Sequence, residues 1–260
     1  MAHPSGVSGN GPGFPEAPHS AEDGGGAPEP VVGWGLIEAG AGFLAGVVGG
    51  VVFTSAWAAV QGSSRTSLGM IAAGLLGLWT GYLATMTIVS RRKGTGQLAA
   101  DLRLRLGGLK GLAAGALTGS TTGLLLVPLL YVVLLSVGLL DQKALDQLSD
   151  PAERLLETAP GATFLLLALL VGVGAPLVEE CFFRGFVQPA AVRRFGPVAG
   201  VVGTAAVFAG AHFQALQFPA LFLFGLLLGL LAYRSGRIGP CVVAHVVFNG
   251  LTLVRLAFLR

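Results

Sequence analysis

The sequence predicts an all-α, polytopic transmembrane helical bundle of about seven spans with a polar intramembrane cavity. Three observations carry this. Hydrophobic residues make up 53% of the 260 residues and charged residues only 11%, where soluble domains carry roughly 25%. The mean hydropathy is +0.75, too apolar for a water-soluble surface. Seven stretches approach the about 20 apolar residues that span a bilayer.

Residues 1–30 contain no Lys or Arg and no apolar signal-peptide core. Their Gly, Pro, Ala, Ser and Glu content predicts a disordered tail. Membrane targeting then falls to the first hydrophobic helix. Residues 31–111 are expected to hold two N-terminal spans, about Trp34 to Val60 and Ser67 to Val89, and a basic loop. Gly42, Gly46 and Gly50 recur every four residues in the first span, as do Gly225 and Gly229 later. Small residues at that spacing let helix backbones approach closely. The segment 101–110, DLRLRLGGLK, reads as a short helix lying on the membrane surface.

Residues 112–260 are expected to form the core. Its spans run from about Leu112 to Leu140, from near Phe164, and over Val198–Phe213, Phe218–Tyr233 and Ile238–Phe258. The Val198 and Phe218 stretches are short enough for a re-entrant pair. Loop charges orient the bundle. Arg91, Arg92, Lys93, Arg103, Arg105 and Lys110 share one connection; Arg193 and Arg194 lie in another, and Arg234 and Arg237 in a third. The connection after the third span is acidic, with Asp141, Asp146, Asp150, Glu153 and Glu157. Basic loops favour the cytoplasmic side, so the N-terminus is expected inside. A net charge of +3, scattered as it is, argues against a nucleic-acid partner. Cys181 and Cys241 sit in apolar stretches and read as reduced packing residues.

Ionisable residues inside spans are costly and point to function. Here they gather in the last 100 residues: PLVEECFFRGF with Glu179, Glu180 and Arg184, FAGAH with Phe208 and His212, and HVVFN with His245 and Asn249. Glu180 and Arg184, four apart, share a helix face and can pair, as can His245 and Asn249. Glu179 is turned about 100° away. At 1.5 Å per residue from the basic side, Glu179 lies roughly 21 Å deep, His212 roughly 24 Å, and His245 and Asn249 roughly 12 and 18 Å. The groups therefore occupy one slab. Pro176, just before the first motif, is expected to kink its helix. A buried carboxylate beside a histidine can polarise water, and a His and an Asn can stabilise an oxyanion. Two His and one Glu can instead bind zinc, although no HExxH helix is present.

EECFFR, FAGAH and HVVFN form EExxxR, FxxxH and HxxxN motifs in order on successive apolar stretches. Over roughly residues 160 to 255 the chain resembles the CPBP family of intramembrane glutamic endopeptidases. That family includes the type II CAAX prenyl endopeptidases and the bacterial bacteriocin-processing or immunity (Abi) proteins. The resemblance implies hydrolysis of a peptide bond by glutamate-activated water, with no obligatory metal and no other cofactor. It makes Glu179 the base, with His212 orienting the water and His245 and Asn249 stabilising the oxyanion. Glu180 and Arg184 take a supporting ion-pair role, and Phe208 an aromatic one lining the site. The partners it implies are membrane lipid and a peptide, leader or prenylated protein substrate. The expected location is multi-pass in a bacterial inner (cell) membrane, and no oligomeric state follows. The alternatives are a catalytically silent membrane scaffold or bacteriocin-immunity-type protein, and a zinc-dependent membrane protease.

Overall fold

A computed structural model describes residues 33–63 and 65–258. The expected disordered tail, 1–30, lies outside them. Among the described residues there is no strand, and the elements are α1 (Leu36–Gln61), α2 (Leu68–Lys93), a short α3 (Leu98–Asp101), α4 (Gly108–Ser136), α5 (Gln142–Asp146), α6 (Asp150–Glu157), α7 (Thr163–Phe195), α8 (Pro197–Gly210), α9 (Phe218–Ser235) and α10 (Gly239–Phe258). α1, α2, α4, α7 and α9 are long and apolar enough to cross a membrane, while Pro197–Gly210 and Gly239–Arg255 are shorter apolar helices. These seven coincide with the seven apolar stretches of the sequence. The chain is an all-helical polytopic membrane protein.

Local chemistry sets the helix ends. The Ser67 hydroxyl accepts the Met70 N–H and caps α2. Arg91, Arg92 and Lys93 close the same helix at its negative dipole end. Gly62 and Gly236 take left-handed conformations that terminate α1 and α9. The DLRLRLGGLK segment is not a surface helix. Only its ends are helical, because Arg103, Gly107 and Gly108 adopt positive φ and turn the chain between α3 and α4.

Side-chain register fixes how the helices run. α1 and α2 are antiparallel, with Gly42 opposite Thr85, Gly46 opposite Tyr82 and Gly49 opposite Gly77. Within the Gly42, Gly46 and Gly50 stripe, Gly42 and Gly46 make room for the Phe182 and Tyr82 rings, while the backbone-to-backbone contact falls at Gly49, where a Cβ would overlap the Gly77 carbonyl. α4 and α10 run parallel, with Gly115 against Pro240 and Val243 and Gly119 against Ala244. α7 runs antiparallel to α8 and parallel to α9, through Val192 with Gly200 and Arg184 with Gly225.

This alternation sorts the connections to two ends. At one end the Gly33 N–H binds the Lys93 carbonyl, the Arg193 guanidinium binds the Trp34 carbonyl, and the Ile238 N–H binds the Arg103 carbonyl. The basic segments thus meet there. At the other end the Tyr131 hydroxyl donates to the Leu216 carbonyl at 2.6 Å, and Gln217 donates to the Leu148 carbonyl at 2.9 Å. That contact draws the acidic 137–162 connection onto the α8–α9 corner.

Candidate active site

α7 passes Pro176 without ending. The backbone widens into a π turn over Leu170–Gly174, closed by the Ala175 N–H on the Leu170 carbonyl. A proline ring clashes with the carbonyl four residues back, and the wider turn relieves that clash. Pro176 has no N–H for the Val171 carbonyl, which the widened register would otherwise pair with it. The Asn249 amide of α10 donates to that carbonyl instead, at 2.9 Å. A second π turn, Cys181–Val187, follows the paired glutamates and precedes Pro189.

The two glutamates then part. Glu180 is fully buried, and its Oε1 accepts from Arg184 Nη1 at 3.0 Å and pairs with His245 Nδ1 at 2.8 Å. Arg184 also donates to the Gly225 carbonyl at 3.3 Å, and its guanidinium lies 4.3 Å from the Phe208 ring centroid. The expected Glu180–Arg184 pair is therefore present, and His245 is its third member. Glu179 faces the other way, into a cavity of about 470 Å³. His245 Nε2 lies 4.0 Å from Glu179 Oε2. One imidazole thus stands between both carboxylates, Nδ1 toward the buried one and Nε2 toward the cavity one.

His212 lies just beyond the C-terminal end of α8 and lines the same cavity as Glu179. Its Nδ1 pairs with the Phe208 carbonyl at 2.8 Å, which fixes the ring and leaves Nε2 for the cavity. Phe208 is fully buried behind the site and is not among the cavity-lining residues. Its ring meets His212 at 4.9 Å and His245 at 5.8 Å, edge to face, and so wedges both imidazoles. Asn249, one turn beyond His245, is committed through one N–H to Val171. Among the described residues no three His, Cys, Asp or Glu are grouped so that they could hold a metal ion. Cys181 and Cys241 are free, buried thiols.

The cavity is not built by the C-terminal helices alone. α1 contributes Phe43, Val47 and Thr54, and α2 contributes Leu78 and Tyr82. Tyr82 stacks on Phe182, the residue two after Glu180, at a centroid distance of 3.8 Å. Sequence reasoning missed this wall. Tyr82 and Trp79 are aromatics in an apolar run with no charged neighbour to mark them, and only the glycine facing Tyr82 on α1, Gly46, hinted at a bulky neighbour.

Residues 161–251 match a family model described as Rce1-like: Type II CAAX prenyl endopeptidase Rce1-like. No curated protein and no solved structure matches the chain. The matched stretch holds every residue of the three motifs and leaves out α1 and α2. In this integral membrane protein, residues 161–251 are thus similar to the Rce1-like type II CAAX prenyl endopeptidases.

Proposed function

We propose that the protein is an intramembrane endopeptidase in which Glu179 activates water against a peptide bond of a membrane-associated, leader or prenylated substrate. The observation that carries this is that Glu179 and His212 line one cavity, with His245 Nε2 4.0 Å from the Glu179 carboxylate. Glu179 takes a proton from water while the hydroxide oxygen bonds to the peptide carbonyl carbon. The carbonyl π pair moves to oxygen, and the oxyanion accepts hydrogen bonds from His245 and from the second amide N–H of Asn249. The intermediate collapses by breaking the C–N bond. The proton held by Glu179 passes to the leaving nitrogen, giving a carboxylic acid and an amine.

His212, locked through Nδ1, orients the water. Glu180 and Arg184 position the reacting groups. Glu180 holds the His245 ring in the orientation that aims Nε2 at the cavity, as a buried carboxylate orients a catalytic imidazole elsewhere.

The test is cleavage of a peptide library, prenylated members included, by the purified chain in detergent with chelator present. Glu179→Gln is expected to lower the rate by at least about 10²-fold, the usual worth of a positioned acid–base group, while unfolding at the parent's temperature. Equal cleavage by parent and variant would refute the role of Glu179.

A further inference from the structure

The site cavity continues into a cleft between α1 and the corner joining α8 to α9. Glu179 and His212 line it together with Thr54, Ser55, Gly74 and Phe213; Ser55 and Phe213 are exposed, whereas Glu179 and His212 are half-buried. The hairpin of α1 and α2 is tied to the rest of the bundle at the opposite end. There Trp34 donates its indole N–H to the Phe186 carbonyl at 2.9 Å and Arg193 binds the Trp34 carbonyl. Farther along, Gly42 packs on Phe182. Beyond Gly42, α1 faces the α8–α9 corner across the cavity itself. Two helices held together at one end and parted at the other leave a wedge.

The direction of the wedge follows from the chain. Thr54 is 7 residues from Gln61, the end of α1, hence roughly 10 Å from the turn to α2. Gly74, beside it, is 19 residues from Lys93, the end of α2, hence roughly 28 Å from the basic end. The mouth therefore lies at the end that carries the acidic 137–162 connection, away from all three basic connections. Basic connections stay in the cytoplasm. The rim residues Val51 and Phe213 are 61% and 84% exposed, apolar surfaces suited to lipid and not to water.

The geometry points to a site loaded from the extracytoplasmic leaflet: the substrate is a peptide segment lodged in the outer half of the bilayer, sliding between α1 and the α8–α9 corner to reach Glu179. This rests on the endopeptidase reading for the word substrate, but the sidedness of the cleft does not.

Three single-cysteine chains test it: Ser55→Cys in the cleft, Arg65→Cys in the α1–α2 turn and Arg92→Cys at the basic end, all exposed positions. Each full chain is produced in bacterial cells and treated with a membrane-impermeant maleimide before and after permeabilisation. The unaltered chain is the blank, its thiols being buried. Ser55→Cys and Arg65→Cys are expected to label on intact cells, and Arg92→Cys only after permeabilisation. Labelling of Ser55→Cys only together with Arg92→Cys, or no labelling of Ser55→Cys where Arg65→Cys labels, overturns the inference.

A second arm caps purified Ser55→Cys with a bulky maleimide and follows peptide cleavage. A fall of at least tenfold, with capped Arg65→Cys unaffected, supports entry through the cleft, and unchanged cleavage overturns it. If the unaltered chain cleaves nothing, the endopeptidase reading fails and the labelling still decides the sidedness.

Discussion

Glu179 and Glu180 are neighbours in the chain and opposites in surroundings. Glu180 has no exposed surface and shares one oxygen between Arg184 and His245. The Glu180–Arg184 pairing is legible from the i, i+4 spacing alone. The third partner is not, because His245 lies 65 residues away and spacing says nothing about which helices adjoin. His245 and Asn249 share a face as the sequence predicts, yet their first partners differ: Glu180 for one, the Val171 carbonyl for the other. Removing one member of a buried charged group costs about 3–5 kcal/mol, since the other charge stays buried without its counterion. Glu180→Ala is therefore expected to lower the unfolding temperature in detergent strongly. Glu180→Gln, which keeps an acceptor for Arg184, should lose less. Equal unfolding temperatures for parent and Glu180→Ala would contradict the geometry.

At the scale of the element, prolines and π turns go together. Pro128, Pro176 and Pro189 each sit two residues after a π segment, and each segment is closed by an N–H reaching five residues back. The prolines were legible in the sequence and suggested a kink at Pro176. The response was not legible, because a kink and a π turn both satisfy the same steric conflict and neighbouring helices choose between them. Around Pro176 that neighbour is α10, whose Asn249 amide satisfies the stranded Val171 carbonyl. Asn249→Ala should thus cost about 1 kcal/mol, within the range of hydrogen bonds between membrane helices. In the double variant Pro176→Ala/Asn249→Ala, the alanine that replaces the proline brings a backbone N–H that can take over the Val171 carbonyl. The double variant is expected to be more stable than the sum of the single effects predicts, by an interaction of about 0.5–1 kcal/mol. Additive unfolding free energies would mean that the amide does not stand in for the missing N–H.

For the whole molecule, the seven apolar helices are legible because hydropathy reports them directly, whereas the short polar helices of the connections are not. The placement of the α1–α2 hairpin is not. In a membrane both the lipid-facing and the bundle-facing sides are apolar, so sequence contrast does not reveal which face packs. Beside the packing of Tyr82 and Gly42 on Phe182, polar contacts at the basic end help to hold the hairpin. Asp101 is one centre of them, accepting from the Ser90 hydroxyl and from the Thr95 N–H and hydroxyl. Burial would raise its pKa, but those hydrogen bonds outweigh it and hold it below the ordinary 3.8. A depressed carboxylate contributes stability above its unfolded value and loses it as pH falls through the folded value. The stability gap between parent and Asp101→Asn should accordingly be full at neutral pH and close below pH 3.8. Trp34 is the other anchor. It is 2% exposed, packs on Phe186 at 5.0 Å between centroids, and offers its N–H to the Phe186 carbonyl and its own carbonyl to Arg193. Trp34→Ala leaves a large void and should cost about 3–5 kcal/mol. Trp34→Phe keeps the packing, loses only the indole hydrogen bond, and should cost about 1 kcal/mol. The loss in Trp34→Ala falls on the joint between the hairpin and the matched domain, so cleavage should decline although Glu179, His212 and His245 are untouched. Hydrogen exchange read by mass spectrometry separates this from general unfolding: amides of α1 and α2 should exchange faster while those of α9 and α10 stay protected. Uniform acceleration across all the helices would show that Trp34 supports the whole bundle and not the hairpin joint.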